Sequence, residues 1–318
     1  MEGLGRLAAS RLARAGSGET DGRDWPQIVA GGRTLADALP DLLVEARQVA
    51  MTTSAGWHGR RRAGAGENFW QFRPFIAGEP VKRIDWRRSA RDNHLYVRER
   101  EWEAAHTVWL WADLSPSMLF RSHLSDTVKR DRALVLLLAL ADLLAETGER
   151  VGLPGLRRAV ADRHAAERIA ATLAHVSDPV SLPEGRDIRR FSDVVLIGDL
   201  LDPLDETLAW MQKVAGSGAR GHLVMVLDPV EETFPFSGRT EFRDPETGFR
   251  LTSGKAETWR TAYRDRLEAH RAAIGEVARR AGWTFLVHHT DRPAAEAMLV
   301  LHSRLSGVLL NDTGGAGR

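Results

Sequence analysis

The run Asp113-Leu114-Ser115-Pro116-Ser117-Met118 follows directly on TVWLWA (residues 107–112), the most apolar strand-like segment of the chain. One carboxylate and two hydroxyls, spaced by two in a tight loop after a strand, can converge on one point. They offer only hard oxygens, which suit Mg2+ or Mn2+ and are wrong for soft metals. Magnesium takes six oxygens at about 2.0–2.1 Å and keeps several waters, so a site with few protein charges leaves positions for a partner's carboxylate. The same residues also suit a metal-free role, as an Asx turn or a cap on the next helix. Other strand-like segments end at Asp199, Asp228 and Asp291, which puts four carboxylates along one expected sheet edge. Ligands of open α/β sheets bind at that edge, near the switch in strand order. Asp228 and Asp291 read as turn residues.

These side chains need a framework. From His106 onward, strands alternate with helices. Strands are expected at 107–112, 193–198, 222–227 and 283–288, with RVGLPGL (residues 150–156) as a shorter candidate. Helices are expected over Lys129–Thr147, stopped by Gly148, then through Ala165, Ile169 and Leu173, and through Leu204, Leu208 and Met211. A long helix over Trp259–Ala281 carries Trp259, Ala262, Tyr263, Leu267, Ile274, Val277 and Ala278 as its apolar stripe, and a last helix runs from Pro293 to about Ser306. The strands are near-continuous apolar runs, the mark of parallel strands covered on both faces. This order predicts a doubly wound, mostly parallel α/β sheet over residues 106–306. Residues 229–257 interrupt it, and the DPETG turn at 244–248 reads as the tip of an inserted hairpin.

Upstream the composition changes. Residues 1–33 are rich in Gly, Arg and Ser and read as a disordered leader, and 307–318 as a frayed tail. An expected helix over Asp41–Met51, opened by Pro40, belongs with a small β-rich module to make a first domain over 34–105. Residues 57–100 hold 11 Lys+Arg against five Asp+Glu, and six of the ten tryptophans lie between Trp57 and Trp111. Across all 318 residues the net charge is only +1, and the absence of cysteine excludes disulfides, thiol catalysis and Cys-ligated metals. The longest apolar run, Ala133–Ala141, is far short of the roughly 20 residues needed to span a membrane. With no apolar signal segment near the start, a cytoplasmic protein is expected.

The D-x-S-x-S motif after a buried strand resembles the metal-ion-dependent adhesion site of von Willebrand factor A domains. The segment GENFWQFRPFIAGEPVKRIDWRRSARDNHLYVREREWE (residues 66–103) is similar to the hallmark of the bacterial domain-of-unknown-function family 58, through Arg73, Arg83, Asp85, Trp86, Ser89 and Arg91 among others. The resemblance implies a von Willebrand A-like domain from about residue 106, behind a small β-rich domain. It implies Mg2+ (or Mn2+) held by Asp113, Ser115 and Ser117, with Asp199 from the later strand. Family members of this kind are typically encoded beside a MoxR-type AAA+ ATPase, which makes that ATPase or its client the expected protein partner. Glu79 stands where the family has Asp. Where the family supplies a threonine from a second loop, the short connection DPVSLPEGRDIRRFSDVV (residues 178–195) offers only Ser181.

The expected function is therefore a non-catalytic adaptor that binds a partner's acidic residue. The alternative is a metal-dependent hydrolase or phosphotransferase using the same acidic strand ends. No G-x-S-x-G elbow or H-E-x-x-H motif is present. The phosphate-loop look-alike Gly248–Lys255 has the wrong spacing and lacks a following Ser or Thr. In the basic module, Arg83, Asp85, Trp86, Ser89 and Arg91 are expected to act structurally, with Arg–Asp pairing and Trp86 filling a small core. Glu99, Glu101 and Glu103 alternate among its basic residues, which favours a solvated strand face over a nucleic-acid surface.

Overall fold

The computed structural model of the protein describes residues 31–57, 69–75, 84–91, 94–100 and 106–305. The chain divides into two compact units, Met1–Ala55 with His106–Arg318, and Gly56–Ala105. Of the expected leader over 1–33, residues 1–30 lie outside the described residues, as does the tail over 307–318, whereas residues 31–33 open a helix and are not leader.

The larger unit is built on a six-stranded sheet. Its strands are β3 (Thr107–Ala112), β4 (Arg150–Leu153), β5 (Arg157–Ala161), β6 (Ser192–Gly198), β7 (Arg220–Leu227) and β10 (Thr284–His289). They lie in the order β10-β7-β6-β3-β4-β5, all parallel except the edge strand β5. Alternate residues of the apolar strands enter opposite layers. Val108, Leu110 and Ala112 of β3 join one core, and Trp109 and Trp111 join the other. That two-sided burial is why the strands read as continuous apolar runs and not as alternating ones.

The first layer is centred on helix α3 (Lys129–Glu146), whose residues Ala133–Ala141 are all buried. A helix apolar on every side must be enclosed on every side. The sheet covers one face of α3, and α4 (Ala165–Leu173) and α8 (Ala294–Leu305) pack beside it. Helix α1 (Gly31–Trp57) adds Leu39, Leu42, Ala46 and Ala50 to the same core. This helix therefore belongs with the α/β unit, whereas its sequence position had grouped it with the basic module. Pro40 lies inside α1, not at its opening. A proline there removes one helical hydrogen bond, and the buried stripe that continues across it from Leu39 to Leu42 offsets the loss.

The second layer holds α5 (Leu204–Gly216) and α7 (Arg260–Arg280), which pack on each other. The buried face of α7 is Tyr263, Leu267, His270, Ile274 and Ala278, while Ala262 is exposed. His270 is absent from the apolar stripe because its ring is polar, yet it lies three residues after Leu267 and four before Ile274 on the buried face. Between β7 and α7 come the short helix α6 (Pro229–Thr233) and the two-stranded hairpin β8 (Thr240–Arg243) and β9 (Arg250–Ser253). Phe242 fastens the hairpin to the second core, stacking on Phe234 and Trp259.

The smaller unit pairs β1 (Phe69–Pro74) antiparallel with β2 (Tyr96–Arg100) around the single-turn helix α2 (Trp86–Ser89). Asp85 caps that turn, accepting from the Arg88 N–H at 2.9 Å. The Ser89 hydroxyl donates to the Asp85 carbonyl at 2.8 Å and accepts from the Tyr96 N–H at 2.9 Å, tying the turn to β2.

Candidate functional site

The chain leaves β3 toward β4 and β5 on one side, then returns to β6, β7 and β10 on the other. The switch point therefore lies between β3 and β6, and Asp113 and Asp199 are the first residues beyond those two strands. The Asp113 N–H donates to the Ile197 carbonyl at 2.8 Å, which extends the β3–β6 ladder into the loop. Gly198 makes this approach possible. A Cβ there would lie 2.7 Å from Asp113 Cβ and 3.2 Å from its Oδ2.

The loop folds around its own polar atoms. Asp113 Oδ1 accepts from the Ser115 N–H at 2.8 Å, so the Asx turn of the metal-free alternative is present. Pro116–Leu119 form a 3-10 turn anchored by fully buried Met118. The Ser115 and Ser117 hydroxyls are 3.0 Å apart, and the Ser117 hydroxyl donates to Asp199 Oδ2 at 2.8 Å. Each hydroxyl has one proton, so Ser115 supplies the proton shared by the two serines. Asp199 Oδ1 accepts from the Leu201 N–H at 3.1 Å. Between them Leu200 adopts φ 51°, and its carbonyl is 2.7 Å from His270 Nε2, so α7 holds the second acidic loop in place.

Three further residues complete the site, none of them expected from the sequence as a site residue. Lys129, the first residue of α3, is fully buried and donates to Asp199 Oδ2 at 2.9 Å and to Glu231 Oε1 at 2.7 Å. A lysine in the first helical turn opposes the helix dipole, and a buried ammonium is tolerated only when paired. The two carboxylates meet both demands. Glu231 also accepts from the Asp228 N–H at 2.8 Å, and Asp228 caps α6 through the Val230 N–H, a reciprocal capping box. The other Asp228 oxygen accepts from the Ser122 N–H at 2.8 Å, binding the β7 end to the loop after β3. The third residue is Glu246, at the hairpin tip, whose Oε1 accepts from the Ser117 N–H at 2.8 Å.

Negative charge dominates. Burial, reinforced by the nearby charge of Asp199, pushes the Asp113 carboxyl up to about 8, against the lowering effect of the Ser115 hydrogen bonds, and Asp202 adds to the rise. Among the described residues no group of three or more His, Cys, Asp or Glu gathers as a closed metal site. What is present is an open set of hard oxygens, two carboxylates and two hydroxyls. In kind it fits a partly hydrated Mg2+ or Mn2+. In charge it fits as well, because a cation would release the proton that Asp113 otherwise holds.

The structure thus brings together Asp113, Ser115, Ser117 and Asp199. Ser181 stands differently: its backbone carbonyl accepts from Trp111 Nε1 at 3.1 Å, from a side chain of the second core. Asp228 has a structural role, and Asp291 is exposed in the turn after β10. In the smaller unit, Trp86 is 60% exposed and does not fill a core, because it opens a single helical turn whose buried residue is Ser89. Arg91 is exposed, Arg83 lies outside the described residues, and Arg73 sits on β1.

Fold and site together define a mixed α/β protein with a buried acidic and hydroxylic cluster at its switch point. The family described as "Protein of unknown function DUF58" matches residues 71–273, and the chain belongs to it. It is 28% identical over 299 residues to an uncharacterized protein of Mycobacterium bovis and to uncharacterized proteins of two Mycobacterium tuberculosis strains, covering 86% of this chain and 91% of each relative. Among solved structures, the conserved hypothetical protein BatB from Bacteroides thetaiotaomicron is similar with a TM-score of 0.40 at 15% identity, over 64% of this chain and 99% of that one. An aerotolerance-related membrane protein from Bacteroides fragilis gives 0.41 at 16% identity with the same coverage. Among the described residues of this chain, no helix is long and apolar enough to cross a membrane.

Proposed function

We propose that this chain is a non-catalytic, cytoplasmic adaptor whose α/β unit is von Willebrand A-like. It takes Mg2+ or Mn2+ at Asp113, Ser115, Ser117 and Asp199 and binds an acidic residue of a protein partner. The observation that carries the reading is the meeting of these four residues at the switch point, within a cluster whose carboxylates outnumber its one buried ammonium. When bound, the cation supplies the positive charge that a partner's carboxylate seeks. The chain's own residues orient the oxygens: the Asx turn sets Asp113, Ser115 orders Ser117, and His270 fixes the Asp199 loop through Leu200. By family resemblance, the partner is a MoxR-type AAA+ ATPase or its client.

One observation favours a second, metal-free reading. Lys129 already places a positive charge 2.9 Å from Asp199 Oδ2. Thermal unfolding of the wild type and Asp113→Ala, each with EDTA and with excess Mg2+ or Mn2+, separates the two. Metal at 100 times its dissociation constant stabilises the folded state by about 2.7 kcal/mol, roughly 5–10 °C for a domain of this size. A shift confined to the wild type supports the metal site. An unchanged melting temperature in both proteins leaves the metal-free reading.

A further inference from the structure

The inserted hairpin brings a carboxylate of the chain itself to the D-x-S-x-S loop. The ribbon is anchored by Phe242, one pair before the turn, buried among Phe234, Phe236 and Trp259. The hairpin is a separate two-stranded ribbon of four-residue strands, and an isolated two-stranded ribbon is marginal without support. Asp244 shapes the tip, Oδ1 accepting from the Glu246 N–H at 3.0 Å and Oδ2 from the Thr247 hydroxyl at 2.7 Å. That turn aims Glu246 at the Ser117 N–H, 2.8 Å away. At the tip Asp244 is buried and Pro245 and Glu246 are half-buried, whereas Phe249 is 51% exposed. A ribbon seated by Phe242 and a charge-assisted bond from Glu246 to the Ser117 N–H set an acidic side chain of the chain itself on the binding loop.

We infer that the β8–β9 hairpin is an autoinhibitory latch in which Glu246 stands in for the partner's carboxylate at the Asp113–Ser117 loop. The partner is accordingly an acidic segment that presents Asp or Glu on a tight turn and displaces the tip. This inference rests on the adaptor reading above. A tethered tip acts at an effective concentration of about 1 mM, and the closed fraction weakens the apparent affinity for any competing ligand in proportion.

The test titrates wild type, Glu246→Ala and Glu246→Gln with a synthetic peptide of residues 240–253, to millimolar concentration, by NMR, once with Mg2+ and once with EDTA. Melting temperatures confirm folding, and the Gln variant, which keeps a neutral acceptor, serves if the Ala variant is unstable. Glu246→Ala is expected to bind the peptide at least about tenfold more tightly than wild type. A control peptide with Gln in place of its Glu246 should lose that gain. Amide exchange at Ser117 should speed up by a similar factor in Glu246→Ala. Equal affinities for wild type and variants, or no binding to the variants, overturn the latch. Equal affinities that need Mg2+ do so while leaving the adaptor site standing. Tighter binding to the variants that is unchanged by EDTA supports the latch and refutes its metal.

Discussion

Replacing Lys129 by Met tests the charge balance of the site most directly. Methionine keeps the length and apolar contacts of the stem and removes the ammonium, whose Nζ lies 2.9 Å from Asp199 Oδ2 and 2.7 Å from Glu231 Oε1. Removing one partner of a buried ion pair costs about 3–5 kcal/mol, because the other charge stays buried without compensation. The two bonds here share one ammonium. Asp199 keeps the Ser117 hydroxyl and the Leu201 N–H, and Glu231 keeps the Asp228 N–H. The cost is therefore that of one broken pair, about 4 kcal/mol, or roughly 8–16 °C in melting temperature. Urea unfolding of the wild type, Lys129→Met, Glu231→Gln and the double variant measures it. The Glu231 substitution should cost less in the Lys129→Met background, with a coupling of about 1–3 kcal/mol. A loss below about 1 kcal/mol for Lys129→Met, or strict additivity, would refute the view that this lysine carries the counter-charge of the site.

Two more outcomes follow from other parts of the unit. Gly198→Ala places a methyl group 2.7 Å from Asp113 Cβ, a short side chain with no flexible end to yield, so it should cost about 1–3 kcal/mol and abolish any Mg2+-dependent shift in melting temperature; an unaltered response would show that the β3–β6 approach does not shape the site. His288 is held neutral in the fold, its pKa lowered to about 3 by burial first and then by the charges of Arg132 and His289. The unfolded chain binds this proton below its usual value of about 6.5 and the folded chain does not, so stability should fall as pH drops from about 6.5 toward 3, by about 2 kcal/mol at pH 5. Urea unfolding of wild type and His288→Leu at pH 7 and pH 5 checks this, and an equal loss in both proteins would remove His288 as the cause.

What was legible in the sequence had a local physical cause. The strands β3, β6 and β7 declare two-sided burial through continuous apolar runs, and Gly148 marks the end of α3 with φ 81°. The Asp113–Ser117 loop was readable because its turn chemistry and donor chemistry lie within five residues. The antiparallel strand β5 was missed because Arg157 and Arg158 hide a short edge strand whose buried residue is Ala159. Lys129 opens the run KRDR, where its neighbours make it look solvated, and nothing local reveals carboxylates 70 and 102 residues away. Glu231 did leave a signal, since D-P-x-E after a strand has the spacing of a capping box. Glu246 left none: the hairpin could be read from its turn, but not the loop that its tip meets.

The acidic residues at this sheet edge divide by what compensates them, and the division decides where a cation could act. Asp228 receives two backbone N–H groups, from Ser122 and Val230, and Glu246 receives that of Ser117, so these carboxylates are held by fixed dipoles. Glu231 and Asp199 share the ammonium of Lys129. Asp113 accepts the Ser115 N–H but is buried beside Asp199, and it meets the deficit of positive charge by retaining its proton up to about 8. A buried carboxyl with a like-charged neighbour takes up either a proton or a cation. The two alternatives differ in what they offer a partner: a protonated Asp113 leaves the loop neutral there, whereas a cation would bring positive charge to the loop whose Ser117 N–H already holds the Glu246 carboxylate.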